Sequence, residues 1–427
     1  MCVCAMSSPS LYLRRRRQQE VTAKPNSVVP MSASSSSPQQ PQEQPLKKDS
    51  GGTDALREAV VRWADAQGGR ECRFWVAVDV GASNVRVQLS VGPDDVVGLP
   101  KRQSKSCSAL VAVLRAVQEE LEEFYAGSGI EYQVMGASLA VAAPVEPEAT
   151  ELFFTNYDPE DSFLTIKSLP SNLFPAGKTY LLNDLEAACF GIWSLSQQGR
   201  LHEFFEPLSP VQENFKSQMV LGNNLVLAAG TGLGTGMVSV DSHGSCSVVP
   251  MEGGHGQVTP KGFGRSERSE EESLMEFLGR KWRGQHYPEF EDVCSGEGLL
   301  RCYEWAVKRR KGVPVVGADA EFVAQEAANG DASCLEAMLF HYRMLMRCAQ
   351  QLGVVMKGRT VFLAGDNIKH NMWFVQQHWE QLLTEYLDHS RPSLGGHGIR
   401  ESIVFVQSGT FNFNVEGARY VATHGKQ

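Results

Sequence analysis

Apolar residues fall into two rhythms once the chain passes residue 53. Short stretches rich in apolar residues at 74–78, 85–90, 132–143, 180–182, 225–229, 237–240, 361–364 and 403–407 predict strands. Apolar positions at helical spacing, with charges on the opposite face, predict helices over 54–67, 110–125, 185–191, 270–282, 298–309 and, with interruptions, 318–356. Residues 409–423 read as a terminal helix or loop-helix that crosses back to the first domain, and the polar stretch 197–218 as a surface excursion. The succession strand, turn, strand, helix, strand describes a mixed α/β fold. A strand, a glycine-containing turn and a second strand occur at 74–90 and again at 225–240, which hints at two related halves.

Composition narrows the picture. With 427 residues, 42% hydrophobic and 21% charged, the chain is long enough for two or three globular domains. The net charge of −9 hides an asymmetry: the first 50 residues carry seven Lys/Arg against three Asp/Glu, leaving −13 on the rest. An acidic body argues against nucleic acid as the partner, because phosphate binding needs clustered positive charge. An anionic substrate would instead be held by backbone N–H groups and a metal ion. No apolar run approaches the roughly 20 residues of a membrane span, so no membrane partner is expected. The ten cysteines are scattered without a CxxC pair and fall mostly in apolar stretches, which predicts free buried thiols in a reducing compartment. Residues 1–52, rich in Ser, Gln, Pro and Arg, predict a disordered basic tail. The expected location is the cytoplasm; Arg and Ser without an apolar core leave an organelle transit peptide as the alternative.

One junction organises the rest. The run Tyr180-Leu-Leu stops at Asn183-Asp184, and a small-residue helix follows at once. Asn and Asp there cap a helix, and they also set a carboxylate at the C-terminal edge of a strand, where open α/β sheets bind ligands. Three glycine turns follow apolar strands: Asp79-Val-Gly81-Ala-Ser83-Asn84, Gly230-Thr231-Gly232-Leu-Gly234, and Ala364-Gly365-Asp366-Asn367. Glycine lets the backbone approach a phosphate, and successive N–H groups make an anion nest. Two similar-looking motifs fail. Thr235 occupies the third glycine slot of a dinucleotide fingerprint, and Asn172 the first glycine of a Walker loop ending at Gly177-Lys178-Thr179.

Taken together these segments resemble a known family. Asp79-Val-Gly-Ala-Ser-Asn-Val-Arg86 is similar to the first phosphate motif of the superfamily joining sugar kinases, actin and heat-shock chaperones. Asn183-Asp184-Leu-Glu186-Ala187, Gly230-Thr-Gly-Leu-Gly234, Glu252-Gly-Gly-His255 and the segment from Glu291 to Leu299 resemble, in order, the motifs of bacterial-type glucokinases. Ala364-Gly365-Asp366-Asn367-Ile368 looks like the adenosine-side motif in its trypanosomatid form. The resemblance spans about 73–425. It implies a two-domain, actin-like (ribonuclease H-like) α/β fold with a cleft, a small domain over 53–182 completed by about 405–427, and a large domain over 183–404. It also implies an ATP-dependent glucokinase acting on D-glucose at the first step of glycolysis, with ATP and Mg²⁺ required. Asp184 would be the general base, and Asn183, Glu252, His255 and Glu291 the ligands of the sugar hydroxyls. Asp79 would hold Mg²⁺, directly or through water. Gly81, Ser83, Asn84, Gly230, Thr231 and Gly232 would line the phosphates, with Gly365 near the adenosine.

The residues suit that chemistry. Sugar hydroxyls both donate and accept, so carboxylates, an amide and an imidazole on short turns are what a hexose pocket needs. Two glycines between Glu252 and His255 let those side chains converge. Ala82 stands at the family's second glycine; its methyl is tolerable if φ there is negative, but it would crowd the γ-phosphate and lower turnover. Other readings are a kinase for another hexose, such as mannose or fructose, and a non-catalytic sugar sensor. The sequence leaves the oligomeric state open, a homodimer among the options.

Overall fold

The computed structural model describes residues 50–426 apart from 93, 210–215, 262–265, 390–398 and 400. The expected tail therefore lies, up to residue 49, outside the described residues. Residues 50–52 already belong to a helix, Ser50–Ala66, which starts one turn before its apolar spacing begins. Each residue added to a formed helix closes one more backbone bond, so helices outrun their amphipathic pattern.

Two six-stranded sheets carry the fold. The first runs β3 (Val96–Gly98), β2 (Asn84–Ser90), β1 (Glu71–Val80), β5 (Glu131–Val141) and β8 (Thr179–Asn183), with β4 (Arg102–Gln103) also on β2. The second runs β12 (Cys246–Met251), β11 (Leu233–Val240), β10 (Gly222–Ala229), β13 (Gly358–Ala364), β14 (Ile403–Gln407) and β9 (Phe205–Pro207). In both, the first pair is an antiparallel hairpin closed by a glycine turn, and the fourth and fifth strands add in parallel. A helix follows the fifth strand each time: Asp184–Gln197 after β8 and Phe413–His424 after β14. The two hairpins at 74–90 and 225–240 are thus the same place in two copies of one topology. A separate ribbon, β6 (Glu151–Phe153) with β7 (Phe163–Thr165), lies between β5 and β8 in the chain.

Packing explains several element boundaries. Residues 318–356 split into the helices Ala320–Ala328 and Ala332–Met356 at Gly330, whose φ is +92°, and Asp331 caps the second by accepting from Ser333 and Cys334 N–H. β11 starts at Leu233, four residues earlier than expected, and runs through Gly234 and Gly236. A Cβ at Gly236 would meet Cys189 Sγ at 2.6 Å, so the helix Asp184–Gln197 can lie directly on that strand only because no side chain intervenes. The stretch read as a surface excursion contains β9, which pairs with β14 at the sheet edge. β12, β3, β4, β6 and β7 had no apolar run to announce them.

Three cores result. Trp63, Phe74 and Leu110 belong to the core of the first sheet, and Leu227, Leu345 and Val361 to a core on one face of the second. The third lies between the sheets: Ala77, Ala140 and Leu182 from one and Val226, Phe362 and Phe405 from the other enclose the two related helices. Every residue from Leu185 to Leu195 is buried. The terminal helix does cross back to the first sheet, where a Cβ at Gly136 would meet Ala422 O at 2.4 Å. All eight described cysteines are buried and unpaired. No helix among the described residues is long and apolar enough to cross a membrane.

A buried ion cluster fastens the segment after His255. Arg347, 1% exposed, donates to Glu271 and Glu385 at 2.8 Å each and to Thr259 O at 3.3 Å. Lys261 Nζ lies 3.0 Å from Glu385 Oε1, and Arg343 Nε donates to Glu385 Oε2 at 3.0 Å. Burial alone would push the Glu385 carboxyl up, but Arg347, Lys261 and Arg343 outweigh it and bring it down to about 2. A carboxyl depressed in the folded state stabilises above its ordinary range, and that stability is lost as pH falls toward the folded value. Glu385→Gln is therefore expected to lose about 3–5 kcal/mol at pH 7. In denaturant titrations the gap from the parent should shrink steadily below pH 5.

Candidate active site

The end of β8 presents Asn183 and Asp184 to the space between the sheets. Asn183 caps the following helix, its Oδ1 accepting from Leu185 N–H at 2.9 Å and Glu186 N–H at 3.4 Å, while its Nδ2 donates to Ala143 O at 3.0 Å. The cap is thus Asn183, and Asp184 is the first helical residue. Asp184 Oδ1 accepts from Leu185 N–H at 2.8 Å. Burial pushes the Asp184 carboxyl above its ordinary range; the Leu185 N–H resists and the charge of nearby Asp79 adds to the rise. That rise is a cost to the ionised form, which burial leaves less well solvated than it would be in water.

Asp79, 4% exposed, stands at the end of β1. Register places it opposite Arg86 on β2, and Arg86 Nη1 donates to its Oδ2 at 2.8 Å. Asn412, 333 residues away in sequence, donates to the same oxygen at 2.9 Å. Asn412 also caps the terminal helix, accepting from Val415 N–H, so each of the two related helices begins with a capping Asn beside an acidic site residue. The turn after Asp79 is closed by Gly81 N–H donating to Asn84 O at 2.9 Å, with Asn84 Nδ2 3.5 Å from Ser83 Oγ. Ala82 does not have positive φ, so its methyl fits the turn without backbone strain.

The corresponding turn of the second sheet is closed by Gly230 N–H to Gly232 O at 2.9 Å, with Thr231 exposed at its tip. It is braced from outside. Gly296 N–H donates to Gly230 O at 2.8 Å, and Glu291 Oε2 accepts from Leu233 N–H at 2.8 Å. A Cβ at Gly232 would meet that carboxylate at 2.7 Å. Gly365, with φ of +108°, closes the same wall: a Cβ there would meet Ala229 O at 2.2 Å, and its N–H donates to Gln407 Oε1 at 2.8 Å. Beside it Lys369 pairs with Asp366 at 2.9 Å, which keeps that carboxyl low, with Arg86 also close enough to contribute.

Glu252-Gly-Gly-His255 is a tight turn laid on β11. Gly253 N–H donates to Thr235 Oγ1 at 2.7 Å, and a Cβ at Gly254 would meet Leu233 O at 2.3 Å. The two glycines therefore serve contact with the strand as well as convergence of the flanking side chains, whose His255 Nε2 and Glu252 Oε2 lie 3.8 Å apart. Glu252 is largely exposed. His255 Nδ1 is 2.7 Å from Glu289 Oε2.

The sequence model of the family described as Glucokinase matches residues 76–385. The chain belongs to the glucokinase family. It is 30% identical over 355 residues to a probable glucokinase 2 of Trichomonas vaginalis, covering 81% of this chain and 92% of that one. Among solved structures it is similar to a Balamuthia mandrillaris glucokinase in complex with glucose, with TM-score 0.75 and 31% identity over 87% of this chain and 98% of that one. The Leishmania braziliensis glucokinase shares the fold, with TM-score 0.71 and 20% identity over 87% and 97%. The actin-like two-domain fold and the glucose-phosphorylating activity expected from the motifs are those of this family.

Within this glucokinase-family fold the expected residues gather in two groups. Asp184, at the start of the helix after β8, lies near enough to Asp79 at the end of β1 to feel its charge; Glu291 braces the 230–232 turn, and the Glu252–His255 turn lies on β11 beside it. Four residues with clear roles went unassigned by sequence: Arg86, Asn412, Glu289 and Gln407. Arg86 had a signal, since a hairpin turn between 79 and 86 sets the two opposite one another. Asn412 and Gln407 had none, because their partners lie in distant segments. The raised carboxyl of Asp184 contributes stability that is lost as pH rises through its folded value. Asp184→Asn is accordingly expected to raise the thermal midpoint at pH 7.5 in scanning fluorimetry, with no such gain near pH 4.

Proposed function

We propose that this enzyme transfers the γ-phosphoryl group of MgATP to the 6-hydroxyl of D-glucose, with Asp184 as the general base. The observation that carries the reading is a buried carboxylate at a strand end, its Oδ1 held by the helix that follows and its charge close to that of Asp79 at the first glycine turn. Asp184 Oδ1 is occupied by the Leu185 N–H, so Oδ2 is the atom left to accept the proton as the hydroxyl oxygen attacks phosphorus. A base with a raised pKa holds that proton more firmly during transfer and releases it to solvent after ADP and the sugar phosphate leave.

Asn183, Glu252, His255 and Glu291 are assigned to the other sugar hydroxyls. Glu291 uses Oε2 to brace Leu233, which leaves Oε1 for the sugar. Gly81, Ser83, Asn84, Gly230, Thr231 and Gly232 line the phosphates, and Gly365 the adenosine side. The residues present fit a magnesium ion. Both partners of Asp79 sit on Oδ2, and Oδ1 takes no hydrogen bond among the described residues. Asp79 would offer the ion that oxygen as its one protein carboxylate. When bound, Mg²⁺ supplies charge neutralisation between the β- and γ-phosphates.

Asp184→Asn and Asp184→Ala are expected to lower kcat by about 10²–10⁴ while glucose binding, followed by intrinsic fluorescence, is retained. Near-normal turnover would sink the base assignment. In the parent, the acidic limb of the kcat profile should lie above the ordinary aspartate range. A coupled ADP assay with glucose, mannose and fructose fixes the sugar, glucose being expected to give the highest kcat/KM.

A further inference from the structure

Glu289 belongs to none of the sugar-kinase motifs, yet its side chain makes the shortest polar contact of the sugar-side cluster. Its Oε2 lies 2.7 Å from His255 Nδ1. A carboxylate can only accept, so this contact requires the proton on Nδ1. The main chain around Glu289 is secured by other means. Phe290 N–H donates to Gly256 O at 2.9 Å and Val258 N–H to Pro288 O at 3.0 Å, and Gln257 and Glu289 form a β-bridge between them. Glu289 N–H donates to Asp292 Oδ2 at 2.9 Å. Folding of the segment is thus carried by backbone bonds, and the Glu289 carboxylate is spent on the imidazole.

We propose that Glu289 is a positioning residue for the sugar: it holds the Nδ1–H of His255 and so presents Nε2 in one fixed orientation to the hydroxyls. This rests on the assignment of His255 as a sugar ligand. With Nδ1 committed, the ring cannot flip without breaking a charge-assisted bond, and the second nitrogen has one direction to face. The charged groups facing His255 are Glu252 on its own turn, with Glu289 and Glu291 from the segment packed against that turn; all three are acidic. Glu289 is the main cause that keeps the imidazole protonated to higher pH than usual, opposed by partial burial. Nδ1 stays protonated on both sides of the titration, so pH decides only whether Nε2 donates to a hydroxyl or accepts from it. Asp292, besides accepting from Glu289 N–H, pairs with Arg301 at 3.3 Å and lies 3.4 Å from His286.

The test separates the hydrogen bond from the charge. Three variants of the full chain, Glu289→Ala, Glu289→Gln and His255→Asn, are assayed for glucose KM, ATP KM and kcat from pH 6 to 9, with thermal midpoints as the folding control. Glu289→Ala is expected to raise glucose KM about tenfold, with kcat and ATP KM changed less than about threefold. Glu289→Gln keeps an acceptor for Nδ1–H, so at pH 8.5 its glucose KM should return to within about threefold of the parent. Its kcat/KM profile should lose the parent's His255 inflection from its place and show it at lower pH, because the negative charge is gone. That inflection is identified as the one absent from His255→Asn. A glucose KM unchanged in Glu289→Ala, or an inflection unmoved in Glu289→Gln, overturns the proposal while His255→Asn still weakens glucose. If His255→Asn itself leaves glucose KM unchanged, the sugar-ligand assignment falls, and this inference with it.

Discussion

The close crossing of two helices is the constraint on which the rest of the molecule depends. Asp184–Gln197 and Phe413–His424 meet with no room for a side chain at the contact. A Cβ at Gly417 would lie 1.7 Å from Ala187 O, and one at Gly191 would lie 2.1 Å from Phe413 O. No relaxation of a flexible side chain relieves such overlaps, since the obstructing atoms are backbone. The crossing sits between the two sheets and brings both helix N-termini to the same space. Asn183 with Asp184 opens one helix, and Asn412 with its grip on Asp79 opens the other. The two acidic groups of the site are neighbours because the helices are.

Local donors account for how an acidic protein can keep carboxylates at its strand ends and turns. Each is held by a donor that comes from a different element. Asp79 has Arg86 from the facing strand and Asn412 from the terminal helix cap; Asp184 has the first N–H groups of its own helix; Glu291 has Leu233 N–H from the phosphate turn. None of these donors saturates its carboxylate, so charge is steadied without being removed from reach. The cost is visible at Asp184, whose burial works against its ionised form.

Much of the fold was legible because its signals are local. Apolar runs marked β1, β2, β5, β8, β10, β13 and β14, and each glycine turn of the motif set lies at the end of one of them. The repeated strand-turn-strand order correctly announced two copies of one topology, since each copy begins with its hairpin. Failures of reading came where structure depends on distant partners. β9 is a strand only because the edge of β14 accepts it, and nothing in the polar stretch around Phe205 indicates that edge. β11 begins inside a glycine run that reads as a turn, and becomes a strand because the helix Asp184–Gln197 presses on it at Gly234 and Gly236. The motif residues lie at or beside the turns because their spacing is local, whereas Asn412, Gln407 and Glu289 answer to contacts that no spacing encodes.

The terminal helix has a consequence for the order in which the protein can be made. β1 to β8 leave the ribosome well before the helix Phe413–His424, which covers one face of that sheet around Gly136. Until about residue 424 has emerged, the first sheet must wait with that face uncovered. Lys426, paired with Glu186 of the helix Asp184–Gln197, adds a further tie between the two helices. A nascent chain stalled before residue 413 would expose apolar surface from its first sheet, which makes the interval before that helix emerges the period of greatest need for chaperones.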